Sequence, residues 1–259
     1  MFGSQPQRSA EELEPQQARE QVAHVARSLA ANGLVLGSAG NVSARAGELI
    51  AVTPMGARLQ SLEASQVALV DADGHQVDGE LEPTSELGLH LGIYRRFDAG
   101  AVVHTHSTLA TALACVLQDE LPVVHYYMLA LGGSVRVAPY RTFGSPELAQ
   151  VTIEALQDRR AALMANHGAI VHAACAQDAL ERALVLEWCC ELYWRASLIG
   201  TPRTLDDNAL REVAAQIERI GYGSPRPRRT AGVPRRHAGG AAGGPPRLRE
   251  PAPEGESPT

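Results

Sequence analysis

Short apolar runs and longer amphipathic stretches share this chain, and they do not alternate one for one. "ELIAVTP" (48–54), "SQVALVDADGHQV" (65–77), "AGAVVHTH" (99–106) and "AALMANHGAIVH" (161–172) are brief and bounded by turn formers. They read as strands, the second turning at Asp73-Gly74 and the last broken at Gly168. Residues 16–34 carry apolar side chains at helical spacing and end at Gly33, a C′ glycine. Four more helices are predicted. "PTSELGLHLGIYRRF" has Thr84 and Ser85 as candidate N-caps, and "STLATALACVL" has Ser107. "GSPELAQVTIEALQD" has Pro146 in its first turn, and a long helix runs from Ala176 to Gly200. Strand following strand without a helix between them argues against a purely parallel sheet. The pattern predicts an α/β sandwich with a mixed, mainly antiparallel sheet and helices covering its faces.

The ends differ from the middle. Residues 1–14 are polar and without period, a flexible extension. Residues 224–259 are rich in Pro, Gly and Arg and are predicted to be a disordered tail, because they cannot bury enough apolar surface to offset their ordering entropy. That leaves 15–223 as the folded domain. The tail holds seven Arg and three Glu, net +4, against −10 for the rest. An acidic body of this kind does not predict a nucleic-acid partner. No apolar run approaches the ~20 residues that span a bilayer, so no membrane partner is expected. The first residues lack a basic stretch followed by an apolar one, which predicts a cytoplasmic protein. The four cysteines show no CxxC spacing and are expected to be buried thiols.

The composition also excludes chemistry. All 23 basic side chains are arginine; there is no lysine. A lysine Schiff base, a pyridoxal-phosphate linkage and a Walker A loop are therefore ruled out. Carbonyl chemistry in this chain needs another electron sink, such as a metal ion.

His104 and His106 sit one residue apart at the end of "AVV". Side chains two apart on a strand share a face, so both imidazoles project together. One reading is a metal pair, with an ion at ~2.0–2.1 Å from each nitrogen; the other is one buried and one surface histidine. His167, in "ANHG", ends a second apolar run, and catalytic zinc typically takes three protein ligands. Glu86 falls at the start of a helix, where a carboxylate is favoured by the dipole with or without chemistry. "LGSAGNVSAR" and "VTPMGAR" place Gly and short polar residues after apolar runs, where backbone N–H groups can hold an anion or simply turn the chain. His24, His75, His125, His172 and His237 have no such neighbours and read as structural or exposed.

"GSAGNVSAR", "VTPMG", "EPTSE", "AVVHTHS", "VVHYYMLALGG", "APYRTFGS" and "ANHGAI" follow one another in this order, within a likeness that extends over roughly residues 15–220. This series resembles the class II aldolase/adducin superfamily, and within it the L-fuculose-1-phosphate aldolases most. The resemblance implies a three-layer α/β/α sandwich assembled as a C4 homotetramer with active sites at subunit interfaces. It implies zinc, or Mn2+ or Co2+, held by Glu86, His104, His106 and His167. Glu86 would double as acid/base, and Tyr126 (or its neighbour Tyr127) would protonate the aldehyde from an adjacent subunit. The phosphate would lie among Gly40, Asn41, Gly56, Thr84 and Ser85. The implied reaction is retro-aldol cleavage of a ketose 1-phosphate to dihydroxyacetone phosphate and an aldehyde. The superfamily also holds ribulose-phosphate 4-epimerases, methylthioribulose-phosphate dehydratases, sugar-acid-phosphate decarboxylases and the adducin scaffold, which lacks the metal ligands. One residue departs from the pattern: Met55 stands where the family usually has a small hydroxyl residue in the TP-x-G turn.

Overall fold

The computed structural model describes residues 13–222. Most of the extension expected over 1–14, and all of the tail expected over 224–259, lies outside the described residues. Nine strands form one sheet: β1 (Asn41–Ala46), β2 (Leu49–Val52), β3 (Ala68–Val70), β4 (Gln76–Asp78), β5 (Ala101–Thr105), β6 (Glu120–Leu121), β7 (Val135–Ala138), β8 (Ala161–Met164) and β9 (Gly168–Ala173). Their order is β4-β3-β2-β1-β5-β9-β8-β7-β6. Every neighbouring pair is antiparallel except β7 and β8, so the sheet is mixed and mainly antiparallel.

Helices cover both faces, α1 (Pro15–Ala31), α3 (Thr108–Ala114) and α5 (Ala176–Ile199) on one, α2 (Leu87–Arg96) and α4 (Pro146–Ala155) on the other. Alternation along the strands divides the apolar residues between two cores. Val42, Ala44, Val103 and Val171 pack toward Val22, Leu29 and Leu186. Val52, Val102 and Ile170 pack toward Ile93 and Leu148. The three α/β/α layers that the resemblance implies follow from this division. Among the described residues no helix is long and apolar enough to cross a membrane.

Most predicted elements are present, and the exceptions have local causes. Gly33, at φ +70°, ends α1, and the Ser145 hydroxyl accepts from the Leu148 amide at 3.1 Å beside Pro146. β1 is not evident from "NVSARA", whose inward residues are small; α6 (Asp207–Ile220), capped by Asp206 on the Ala209 amide, was also not anticipated. Neither Thr84 nor Ser85 caps α2: Thr84 Oγ1 accepts from the Glu86 amide at 3.3 Å, which tightens the turn and makes Glu86 itself the N-cap residue. The predicted strand over 161–172 breaks earlier than Gly168, at the turn 165–167, where Asn166 has φ +54°, and becomes the β8–β9 hairpin. Cys189 and Cys190 are buried thiols as expected, but Cys115 and Cys175 sit at helix ends and are exposed.

The Ser107 side chain does not cap α3. Its place is taken by Glu187 of α5, whose carboxylate accepts from the Leu109 and Ala110 amides at 2.8 and 2.9 Å. A carboxylate there satisfies two orphan donors and complements the helix dipole. Glu187→Ala is expected to lower stability by about 1–2 kcal/mol. Urea unfolding reads this as a lower midpoint at unchanged m; an unchanged midpoint means the cap contributes nothing.

Candidate active site

β1 and β5 bring the first two groups together. Asn41 and His104 are directly paired across these strands, and both face the α2 layer. His106 lies just past the end of β5, on the same side as His104, as the two-residue period requires. His167 enters from the β8–β9 turn. The three imidazoles stand edge to face with centroids 4.7, 4.9 and 5.0 Å apart. Nε2 of His104 is 2.9 Å from Nε2 of His106, and one nitrogen from each of the three rings lies within 4.8 Å of the others. The His104 Nδ1 is 2.9 Å from the Ala169 carbonyl oxygen. A carbonyl only accepts, so Nδ1 carries the proton and Nε2 offers its lone pair to the centre. Gly168 permits this approach: a Cβ there would collide with the Thr105 carbonyl oxygen and lie 3.4 Å from His104 Cε1.

Glu86 completes the group. Its Oε2 is 3.2 Å from His104 Nε2 and accepts from Asn41 Nδ2 at 2.9 Å; its Oε1 is 3.5 Å from His167 Nε2. Burial pushes this carboxyl up, but His104, the Asn41 amide, His167 and His90 outweigh it, and the net displacement is downward. Glu86 is thus held as a carboxylate; the rise that a water-poor site alone produces is overcome. Burial, with His104 and His167 beside it, pushes His106 down to about 4, so it is neutral and able to ligate at pH 7.

These residues fit a divalent cation. Three imidazoles and a carboxylate converge, and Oε1 of Glu86 is buried with no hydrogen-bond partner. An orphaned carboxylate oxygen beside three lone pairs is an arrangement that a cation satisfies and that is unfavourable without one.

The group opens into a cleft of about 380 Å³. On one wall Pro54 bridges to Pro83, which sets Gly56 beside Thr84 and Ser85. Gly40 joins them at φ +85°, where a Cβ would lie 2.7 Å from Val35 Cγ1 and 2.8 Å from the His104 carbonyl oxygen. Asn41 lines the cleft too, but its side chain is engaged with Glu86 and with His90. Tyr140, Arg141 and Phe143 also line the cleft, as does Met55, which is 55% exposed. Arg141, which sequence reasoning did not single out, is the one arginine among the described residues lining the cleft.

Tyr126 is placed elsewhere. It begins a 3-10 helix over Tyr126–Leu131, stacks on His125 at 4.4 Å and lines a groove beside α6 rather than the cleft. Tyr127 meets the same His125 ring edge-on at 5.0 Å. His24 and His75 are exposed, and His172 is buried and stacked on Phe97; His237 lies outside the described residues. His90 is the histidine that the sequence did not flag: it is fully buried, one helical turn beyond Glu86.

Residues 20–194 match the family model described as class II aldolase and adducin N-terminal domain. The chain belongs to the class II aldolase/adducin family. The chain is 38% identical over 211 residues to a 5-deoxy-D-ribulose 1-phosphate aldolase of Bacillus thuringiensis serovar kurstaki, covering 80% of this chain and 98% of that one. It is 37% identical over 191 residues to the L-fuculose phosphate aldolase of Escherichia coli, covering 73% and 86%. A solved L-fuculose 1-phosphate aldolase superposes with a TM-score of 0.75 at 33% identity, covering 80% of this chain and 99% of its own. As a class II aldolase, this protein is an aldehyde-lyase whose class depends on a metal, and the His104, His106 and His167 group is where one fits.

Proposed function

We propose that this class II aldolase cleaves a ketose 1-phosphate to dihydroxyacetone phosphate and an aldehyde. The observation that carries the reading is the cluster of three imidazoles with the Glu86 carboxylate against two of them, in a cleft lined by Glu86, His106 and His167. Both relatives named above are aldolases of ketose phosphates. His104, His106, His167 and Glu86 would hold zinc; nitrogen-rich sets with one carboxylate also accept Mn2+ or Co2+. When bound, the cation supplies the Lewis acidity that stabilises the negative charge left after C3–C4 scission, the sink that a chain without lysine otherwise lacks.

The chain's own groups do the rest. Gly40, Gly56, Thr84 and Ser85 line one wall with short side chains and backbone N–H groups suited to a phosphate. Asn41 serves Glu86 instead, and Arg141 adds the positive charge that Met55 does not. In cleavage Glu86, held as a carboxylate, would accept the proton released from the C4 hydroxyl on the aldehyde side and deliver it to the carbon that becomes the hydroxymethyl end of dihydroxyacetone phosphate. Tyr126 acts on the aldehyde oxygen from a neighbouring copy of the chain, within a C4 tetramer of the cytoplasm, since in its own chain it lies away from the cleft. Met55, Tyr140 and Phe143 add apolar surface to the cleft lining that suits a deoxy-sugar tail.

The test is product analysis with the metal-loaded enzyme on L-fuculose 1-phosphate, 5-deoxyribulose 1-phosphate and ribulose 5-phosphate. Release of dihydroxyacetone phosphate from either 1-phosphate supports the reading. Epimer without aldehyde points to the 4-epimerase chemistry of the superfamily and overturns it. Tyr126→Phe is expected to lower kcat about 10²-fold with unchanged metal content; a parallel loss of metal assigns the tyrosine to the fold instead.

A further inference from the structure

The inner side of the Glu86 carboxylate is tied to a chain of buried polar groups that runs away from the cleft between β1 and α2. Asn41 Nδ2 donates to Glu86 Oε2 at 2.9 Å, and Asn41 Oδ1 is 2.5 Å from His90 Nε2. His90 Nδ1 is 2.7 Å from Ser43 Oγ, which is 2.8 Å from the Tyr94 hydroxyl. Asn41, Ser43, Glu86, His90 and Tyr94 are each 6% exposed or less.

The Glu86 end of this chain has fixed polarity, because a carboxylate only accepts. With the His90 ring neutral, every link that follows from that end has one direction. Tyr94 donates to Ser43, Ser43 to His90 Nδ1, His90 Nε2–H to Asn41 Oδ1, and Asn41 Nδ2–H to Glu86. Reversing any link leaves two donors or two acceptors facing each other among buried side chains, at the expense of a buried hydrogen bond. The amide of Asn41 cannot turn over, and the carboxylate cannot rotate without losing its partner.

We propose that His90 is a positioning residue: through Asn41 it fixes the rotamer of Glu86, so that Oε2 is held between Asn41 and His104 and Oε1 is turned toward His167. The idea rests on the aldolase reading for its kinetic consequence but not for its geometry. The residues are placed for the role by two periodicities. Asn41 and Ser43 are two apart on β1 and share a face; Glu86, His90 and Tyr94 are four apart along α2 and share another. Burial pushes His90 down to about 3, which keeps the ring neutral, with the one donor and one acceptor the chain needs.

The experiment uses the full metal-loaded chain and three variants. His90→Phe keeps a ring but removes both nitrogens, His90→Gln restores one donor and one acceptor, and Ser43→Ala removes only the donor to Nδ1. Partners of metal-binding side chains typically matter by 10–100-fold. His90→Phe is therefore expected to lower kcat per metal-loaded site about 10–100-fold and change KM less than about 3-fold. His90→Gln should recover most of kcat. A purely structural role moves the melting temperature of all three variants but leaves kcat per loaded site unchanged, and that result overturns the proposal. Should His90→Phe fail to fold, Ser43→Ala carries the same comparison with a smaller change. Independently of substrate, 15N spectra of the imidazoles in the wild type are expected to show His90 protonated at Nε2 and bare at Nδ1. The opposite tautomer reverses the chain and removes the proposal even if the enzyme is an aldolase. The correct tautomer in a protein that cleaves no ketose phosphate would sink the functional reading and leave the positioning role standing.

Discussion

Glu86→Gln is expected to lower kcat by about 10²–10⁴-fold while the protein stays folded. The substitution keeps size and shape, and the amide oxygen can still accept from Asn41. What it removes is the proton-transfer group and one negative charge next to three imidazoles. No nearby side chain can substitute. His90 is fully buried and neutral, with its pKa pushed down to about 3, and the chain has no lysine. Steady-state kinetics with metal content measured on the same sample checks this. A variant that binds metal fully and turns over within about 5-fold of wild type would remove Glu86 from acid/base catalysis.

His104→Ala is expected to abolish metal binding and activity together. His104 is fully buried, is the ring through which the Glu86 and His106 contacts pass, and is locked into its tautomer by the Ala169 carbonyl. Its loss leaves two imidazoles from a turn and a strand end, with no buried nitrogen between them. The affinity should fall by more than about 100-fold. A thermodynamic signature goes with it. Free metal at 1,000 times Kd adds about 4 kcal/mol to the stability of a protein that binds it only when folded. Wild type should therefore melt higher with added Zn2+ and lower after chelation, whereas the variant should respond to neither. An alanine variant that keeps the metal-dependent shift would place the ion elsewhere.

The sequence carried the strand-and-helix frame because each element that mattered had a strong local pattern. "AVVHTH" is an apolar run followed by two residues of one parity, and that alone sets two imidazoles side by side. Pro146 and Ser145 mark a helix start without help from the rest of the chain. What escaped notice depends on partners far away in sequence. "NVSARA" has little β-branched character, and becomes a strand because β2 and β5 flank it. Ser107 looks like a cap, but a carboxylate 78 residues from Leu109 takes the amide first. His90 is four residues from Glu86, a spacing visible in "ELGLH", yet its use is apparent only when Asn41 and Ser43 lie opposite. The family resemblance implies a place at a phosphate for Asn41; that strand register also brings its amide to Glu86 is visible only in the fold.

The bridge from Glu187 to the start of α3 links a distant surface to the chemistry. α3 follows His106 and Ser107 directly, so the clamp on Leu109 and Ala110 also holds the end of the strand that aims His106. α5 carries that clamp beside Trp188, which is 39% exposed and touches the His125 ring. Anything that leans on the outer flank of α5, a neighbouring molecule or an engineered graft, therefore has a short mechanical lever to the grip on the ion. Tuning this enzyme from its periphery should begin there.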